Sequence, residues 1–264
     1  MRYKVAGDAR PQVMLLLAAT VVTVALWFIP YASYLVYPIR LFVTFIHESS
    51  HAVVAFLTGG SVQSLTIAAD GSGVVYSVPS GAFGAVFTSS AGYLGSTIFG
   101  VILLFAMRRQ MRSQKILFFS GALIALVTIV FGIISPIFHI FSLNVGFSSI
   151  GFTIAAGAVI SAILFGLALY GSDKVANFAV AFIAVQCLLN AISDLKTVLL
   201  INSPLGGAEV QNDASNMANA TGIPAFVWVV IWIAISAVVI FLGVRMYASV
   251  RSVSSGDDSL FNDQ

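Results

Sequence analysis

The chain has 264 residues, of which 59% are hydrophobic and only 8% are charged, and its mean hydropathy is +1.01. Soluble domains have a much smaller apolar share, so this composition excludes a soluble globular protein and predicts an integral membrane protein. A net charge of +2, with basic residues mainly at the ends of apolar runs, gives no basis for nucleic-acid binding. Cys187 is the single cysteine, which excludes an internal disulfide framework.

Seven apolar runs are long enough to cross the roughly 30 Å of hydrocarbon in a bilayer, which takes about 20 helical residues. In chain order they are Val13–Tyr37, Ile39–Leu57, Phe83–Met107, Ile116–Phe138, Val145–Tyr170, Val175–Ile201 and Pro224–Tyr247. The sequence therefore predicts an all-α membrane protein, a polytopic bundle of about seven transmembrane helices in one domain over residues 1–251. Residues 252–264 are polar and predict a disordered tail. We expect a multi-pass protein of the plasma membrane; basic residues on both sides of the first three runs leave its orientation open.

One polar interval, from Gly59 to Ser80, interrupts the apolar runs in the first half of the chain. Apolar and small polar residues alternate on either side of Asp70-Gly71, which is typical of a β-hairpin with its turn at this dipeptide. Gly59 and Gly60 supply a helix stop before it. The sequence thus predicts a small membrane-associated hairpin over about residues 60–80.

Three ionisable side chains lie inside the second apolar run, in the pentapeptide His47-Glu48-Ser49-Ser50-His51. On an α-helix, residues four apart lie on one face about 6 Å apart along the axis, so His47 and His51 can bind one Zn²⁺. Glu48 lies next to that face, where it can act as the general base toward water that attacks a carbonyl group. The alternative is a structural cluster of hydrogen-bonded histidines, which the cost of burying Glu48 in a membrane disfavours.

Two histidines need a third protein ligand if zinc is to keep one coordination position for water. The candidates in the sequence are Asp70, His139, Asp173, Asp194, Glu209 and Asp213. Asp194 is favoured because it lies deep within an apolar run, where an unpaired carboxylate is costly. Asn190 lies four residues earlier on the same helix face and is positioned to orient that carboxylate or the substrate. Asp213, in a polar interval, remains the second choice.

The chain resembles the site-2 protease family of intramembrane zinc metallopeptidases, in particular its compact branch without large soluble domains. The resemblance covers most of residues 13–247 and depends on HESSH, the hairpin after it, AGYLGSTIFG at Ala91–Gly100 and NAISDL at Asn190–Leu195. It implies zinc ligation by His47, His51 and Asp194, with Glu48 as the base. In better-known members the Asn-to-Asp motif is longer, with an internal proline and a glycine after the aspartate; here Leu195 follows Asp194.

The resemblance also implies an activity, a cofactor and partners. We expect a zinc-dependent endopeptidase that hydrolyses peptide bonds in or near transmembrane segments of a membrane-protein substrate, under the control of a regulatory membrane partner. In this family the hairpin lies beside the active site, so Leu65 to Ala69 or Val74 to Val78 could pair with an extended substrate. The equally weighted alternative is a hairpin that only connects two helices. A non-proteolytic transporter or metal-binding membrane protein is the alternative, and the sequence shows no pair of related halves that would favour it.

Overall fold

The computed structural model describes residues 10–29, 31–141, 146–202 and 212–248. These residues form mainly α-helices, with one two-stranded sheet between the second and third helices. In chain order the elements are α1 (Arg10–Phe28), α2 (Ala32–Leu57), β1 (Ser61–Ile67), β2 (Gly73–Val78), α3 (Ala82–Arg108), α4 (Ser113–Val127), a π-helical segment (Thr128–Ile134), α5 (Ser135–Phe138), α6 (Phe147–Tyr170), α7 (Asp173–Ile201), α8 (Asp213–Thr221) and α9 (Ala225–Ala248). The predicted tail at 252–264 lies outside the described residues.

Within the described ranges, five helical stretches are long and apolar enough to cross a membrane. They are Ala82–Arg108, Ser113–Phe138, Phe147–Tyr170, Asp173–Ile201 and Ala225–Tyr247. The predicted number of seven is not confirmed, because the apolar part of α1, Met14–Leu26, is shorter and α2 is not among the five. Arg40, Glu48 and the two histidines lower the hydropathy of α2, although its length of 26 residues would suffice.

The boundary between the first two helices differs from the predicted one. The sequence placed it at Pro38, but Pro38 lies inside α2, and the chain turns instead at Ile29 and Tyr31. Tyr31 has a left-handed backbone with φ of 65°, which an α-helix cannot continue through. The predicted boundary was wrong because a proline removes one helical hydrogen bond but does not have to end the helix.

The predicted hairpin is confirmed. Strands β1 and β2 are antiparallel, with Leu65 opposite Val75 and Thr66 opposite Val74. Gly71 in the connecting turn has φ of 85°, a conformation that glycine adopts without the steric cost a side chain would bring. Gly59 has φ of 80° where the chain leaves α2, as the helix-stop prediction requires.

The two strands of the hairpin have different surroundings. Strand β1 is almost wholly buried and packs against α6 and the π-helical segment. The backbone N–H of Ile67 donates to the hydroxyl of Thr153 on α6, at 2.7 Å. Strand β2 is only half-buried. The hairpin is therefore held through β1, and β2 is its less covered strand.

Helix α3 is central to the bundle, because it packs against α2, α7, α8 and α9. A separate hydrophobic cluster lies where α8 meets these helices, and it includes Tyr93, Leu195, Met217, Val229 and Trp232. Met217 is fully buried in this cluster, as is Ala214. These contacts fix the short polar helix α8 against the membrane-spanning bundle, and they determine where its first residue, Asp213, lies.

Candidate metal centre

The two histidines of the HESSH motif meet on one face of α2, as their spacing predicts. Their Nε2 atoms are 3.1 Å apart. The Nδ1 atom of His51 lies 2.6 Å from the backbone carbonyl oxygen of Thr88 on α3. A carbonyl oxygen can only accept, so Nδ1 of His51 carries a proton, and Nε2 is the ring nitrogen that a metal ion could bind in place of its own proton.

Asp213 brings a carboxylate to these two nitrogens from the far end of the chain. Its Oδ2 lies 3.3 Å from Nε2 of His47 and 3.2 Å from Nε2 of His51. Desolvation alone would raise the pKa of the Asp213 carboxyl, but the charge of His51 and hydrogen bonds with both histidines outweigh it and hold that pKa well below its ordinary value. The carboxyl is therefore ionised at neutral pH, which metal ligation requires.

The distances among these three atoms fit a tetrahedral zinc ion. With ligand bonds of about 2.0–2.1 Å, tetrahedral geometry separates neighbouring donor atoms by about 3.3–3.4 Å. The observed separations of 3.1, 3.3 and 3.2 Å form a triangle of nearly that size. Two imidazoles and one carboxylate are also a donor set that catalytic zinc sites use. Among the described residues, His47, His51 and Asp213 form the group that could hold a metal ion.

Gly92 on α3 leaves the space that a metal ion at these donors would need. A Cβ atom added to Gly92 would collide with Nε2 of both His47 and His51. Gly92, Ser96 and Gly100 recur every four residues, a spacing that predicts close helix packing, and Gly100 does pack against Leu188 of α7. Gly92 has the additional effect of keeping a side chain away from the donor atoms, which no spacing rule in the sequence indicated.

Glu48 is buried beside the donor group, where two cavities meet. Gly73, the first residue of β2, approaches it so closely that an added Cβ would collide with the Glu48 side chain. The ring of Tyr93 stands edge-on to the ring of His47, with centroids 4.7 Å apart. The hairpin and α3 therefore restrict the positions that Glu48 and His47 can take.

The predicted residues Asn190 and Asp194 lie in the smaller of these two cavities, which has a volume of about 290 Å³. This cavity also contains Arg40 and Thr44, and it reaches His47 and Glu48. Asp194 is not a member of the three-residue donor group in the described part of the chain. The structure thus brings His47, Glu48, His51 and Asp213 together and places Asn190 and Asp194 beside them.

The larger cavity, of about 810 Å³, lies on the other side of Glu48. Strand β2 contributes Gly73 through Ser77 to its lining, and α8 contributes Asp213, Asn216 and Asn219. Both histidines and Glu48 reach it. This cavity is therefore lined by all three candidate ligands and by β2, the less covered strand of the hairpin.

The remaining candidate ligands have other partners. Asp70 accepts hydrogen bonds from the backbone and hydroxyl of Ser72, at 2.9 and 2.6 Å. Asp173 accepts from Gln114, and His139 donates to the carbonyl oxygen of Ser135. Glu209 lies outside the described residues.

A helix-capping signal around Asp213 was present in the sequence. Asn212 and Ser215 form a reciprocal capping box, which begins α8 at Asp213. That signal predicts a helix start within the polar interval and so a fixed position for the carboxylate. It does not indicate which part of the bundle the helix packs against.

A bundle of membrane-spanning helices that holds an HExxH helix and a converging carboxylate defines a membrane metallopeptidase as the class of protein. The family model described as Peptidase M50B-like matches residues 16–243 of the chain. The chain belongs to this family, and the resemblance to site-2 protease membrane metallopeptidases is confirmed. No curated protein and no solved structure matches the chain.

Proposed function

We propose that the protein is a zinc-dependent intramembrane endopeptidase that cleaves peptide bonds in or near transmembrane segments of other membrane proteins. The observation that carries this proposal is the convergence of His47 Nε2, His51 Nε2 and Asp213 Oδ2 beside Glu48. Membership of the Peptidase M50B-like family supports the reaction class. Five candidate membrane spans support a location in a membrane, and we propose the plasma membrane.

In this proposal the zinc ligands are His47, His51 and Asp213. The sequence favoured Asp194, but the distances between donor atoms favour Asp213. When bound, zinc would supply a Lewis acid that polarises the scissile carbonyl and lowers the pKa of water to about 7. Asp194 and Asn190 remain close enough to the centre to contact substrate or water in the smaller cavity.

Glu48 performs the proton transfers of the proposed reaction. Its carboxylate takes a proton from the attacking water molecule as the water oxygen bonds to the carbonyl carbon. The same carboxyl then gives that proton to the amide nitrogen as the carbon–nitrogen bond breaks, so the residue returns to its starting state. Its position at the junction of both cavities gives it access to water and to a peptide.

The outer edge of β2 is the proposed binding surface for the substrate backbone. Ala68 donates to the carbonyl of Ser72, and alternation along an antiparallel ladder makes Thr66 and Val74 the next hydrogen-bonded pair. The backbone groups of Val75 therefore point away from β1. On β1, the N–H of Ile67 points away from β2 and already donates to the hydroxyl of Thr153. Of the two segments that the sequence left open, the proposal selects Val74 to Val78.

The Glu48→Gln variant tests the proposed function. An amide keeps the size and hydrogen bonds of Glu48 but cannot accept the proton, so we expect cleavage of a membrane substrate to fall by about 10²–10⁴-fold. Zinc content, measured on the purified protein by mass spectrometry, should stay at the wild-type level. Cleavage by the variant at the wild-type rate would contradict the proposal.

A further inference from the structure

Helix α8 presents a row of asparagines to the large cavity. The spacing is four residues from Asn212 to Asn216 and three from Asn216 to Asn219, which places these residues on one face of the helix. All three line the cavity that contains Asp213 and strand β2. The side chains of Asn216 and Asn219 are exposed to it, and their amides make no hydrogen bond with any residue that the structure describes.

An extended peptide paired with β2 would leave its second edge without partners. A strand has N–H and C=O groups on both sides, and β2 can satisfy only one side. A backbone group that loses its water on entering the cleft is costly if it finds no hydrogen-bond partner there. Donors and acceptors elsewhere in the lining of the cavity would supply those partners, and α8 forms part of that lining.

Resting on the proposed function, we infer that Asn216 and Asn219 form the second wall of the substrate cleft and hydrogen-bond the free edge of an extended substrate. A primary amide offers both a donor and an acceptor, as a peptide group requires. The two residues are separated by about 4.5 Å along the helix axis, and groups on one edge of a strand recur about every 6.6–6.8 Å. The length of the asparagine side chains covers this difference.

This arrangement has a consequence for the class of substrate. Backbone groups are common to all residues, so the asparagine pair and β2 select a conformation rather than a side chain. A segment offers its backbone groups to both walls only where it is extended, and glycine disfavours the helix that would otherwise hide them. Because Asp213 begins the same helix, the asparagine wall and the candidate ligand are held in one rigid unit.

Disulfide crosslinking tests the inferred contact directly. The chain has one native cysteine, Cys187, which is buried, so Asn219→Cys adds one accessible thiol. The probe is a synthetic leucine-alanine peptide of about 24 residues, long enough to span a bilayer, interrupted by Gly-Ser-Gly and carrying one cysteine at successive positions. Enzyme with the additional Glu48→Gln change would be reconstituted with the probe in phosphatidylcholine and phosphatidylglycerol vesicles and oxidised.

We expect Asn219→Cys to crosslink to every second position near the interruption, because an extended chain has a period of two. Ala218→Cys is the matched control, since residue 218 is on the same helix but is not part of the cavity lining. Equal crosslinking of the Ala218 variant, or a period of three to four positions along the probe, would overturn the inference.

Kinetics of the active enzyme on the same probe give a second test. Asn216→Leu and Asn219→Leu keep the number and branching of side-chain heavy atoms but remove the hydrogen bonds, so each should raise KM by about 3–10-fold with little change in kcat. Asn→Gln at the same positions keeps the amide group, so KM should stay close to the wild-type value. An unchanged KM in both leucine variants would refute the asparagine wall, whereas failure of the wild-type enzyme to cleave any membrane peptide would refute the proposed function instead.

Discussion

Asp194 and Asp213 show how two carboxylates in a membrane protein can have different surroundings. Asp213 lies against two histidine nitrogens in the larger cavity. Asp194 lies in a polar cavity with Arg40, Thr44 and Asn190. Translocon scales place the cost of a charged side chain at a span centre at about 2.5–3.5 kcal/mol, and such a polar cavity reduces it. A position deep in an apolar run is therefore consistent with a carboxylate in a polar cavity as well as with a metal ligand.

The two carboxylates can be separated by their effect on metal binding. Asp213→Asn removes one of three proposed ligands. We expect zinc affinity to fall by more than 10–100-fold, which is the loss typical of removing a residue that hydrogen-bonds to a metal ligand. Asp194→Asn should change zinc affinity by less than about threefold, because its carboxylate is outside the donor group. Competition with a zinc-binding dye measures both constants. The reverse ranking would make Asp194 the ligand.

Gly92 permits a test that changes no donor atom. Gly92→Ala places a methyl group against both Nε2 atoms, and we expect zinc binding to be lost or weakened by at least about tenfold. Gly166→Ala on α6 is the matched control, because an added Cβ there meets nothing within 4 Å. Zinc titration of both variants decides the matter. Wild-type zinc affinity in Gly92→Ala would show that the metal lies elsewhere.

At the scale of elements, the hairpin depends on a side chain from a distant helix. Thr153 of α6 accepts a hydrogen bond from the outward N–H of Ile67, which would otherwise be buried without a partner. The hydroxyl also lies 2.7 Å from the carbonyl of Ser149, to which it donates. This contact fixes β1 against α6, while Gly73 to Ser77 of β2 line the larger cavity.

Thr153→Val should loosen the hairpin. Valine has the shape of threonine without the acceptor, so the Ile67 N–H loses its partner at a cost of about 1–3 kcal/mol. Hydrogen–deuterium exchange should be faster in β1, while zinc content stays normal. Thr20→Val is the control, since the hydroxyl of Thr20 donates back to the carbonyl of Leu16 in its own helix. Equal exchange in β1 of the two variants would show that α6 does not hold the hairpin.

At the scale of the whole molecule, the candidate metal centre joins two parts of the chain that are 166 residues apart. His47 and His51 belong to α2, whereas Asp213 belongs to α8. A ligand that binds only the folded protein stabilises it by about 2.7 kcal/mol at 100 times its dissociation constant. Zinc should therefore contribute to global stability as well as to catalysis.

Metal removal measures this contribution. Chelation should lower the melting temperature of the wild-type protein in detergent, because the linkage between α2 and α8 is lost. His47→Ala should melt at the lower temperature with or without chelator. His139→Ala serves as the comparison, because His139 lies outside the donor group, and it should respond to chelation like the wild type. A melting temperature of the wild type that does not change on chelation would contradict a structural contribution of the metal.

The features that could be predicted without the fold are those that depend on short stretches of chain. Composition alone identified a membrane protein, and the four-residue spacing of His47 and His51 placed both nitrogens on one helix face because helical periodicity is local. The hairpin followed from alternation around Asp70-Gly71, with Gly59 ending the preceding helix. These predictions succeeded because hydrogen bonds between near neighbours decide each of these structures.

Which distant residue approaches the two histidines depends on how the helices pack, and it could not be predicted from the sequence. Asp213 reaches the histidines because Ala214 and Met217 bury one side of α8 in a cluster with Tyr93, Leu195 and Trp232. Gly92 faces the donor atoms because α3 packs directly against α2. Neither position has a local signal, since each results from packing between helices far apart in sequence. The third carboxylate and the space for the metal were therefore decided by the way the bundle packs.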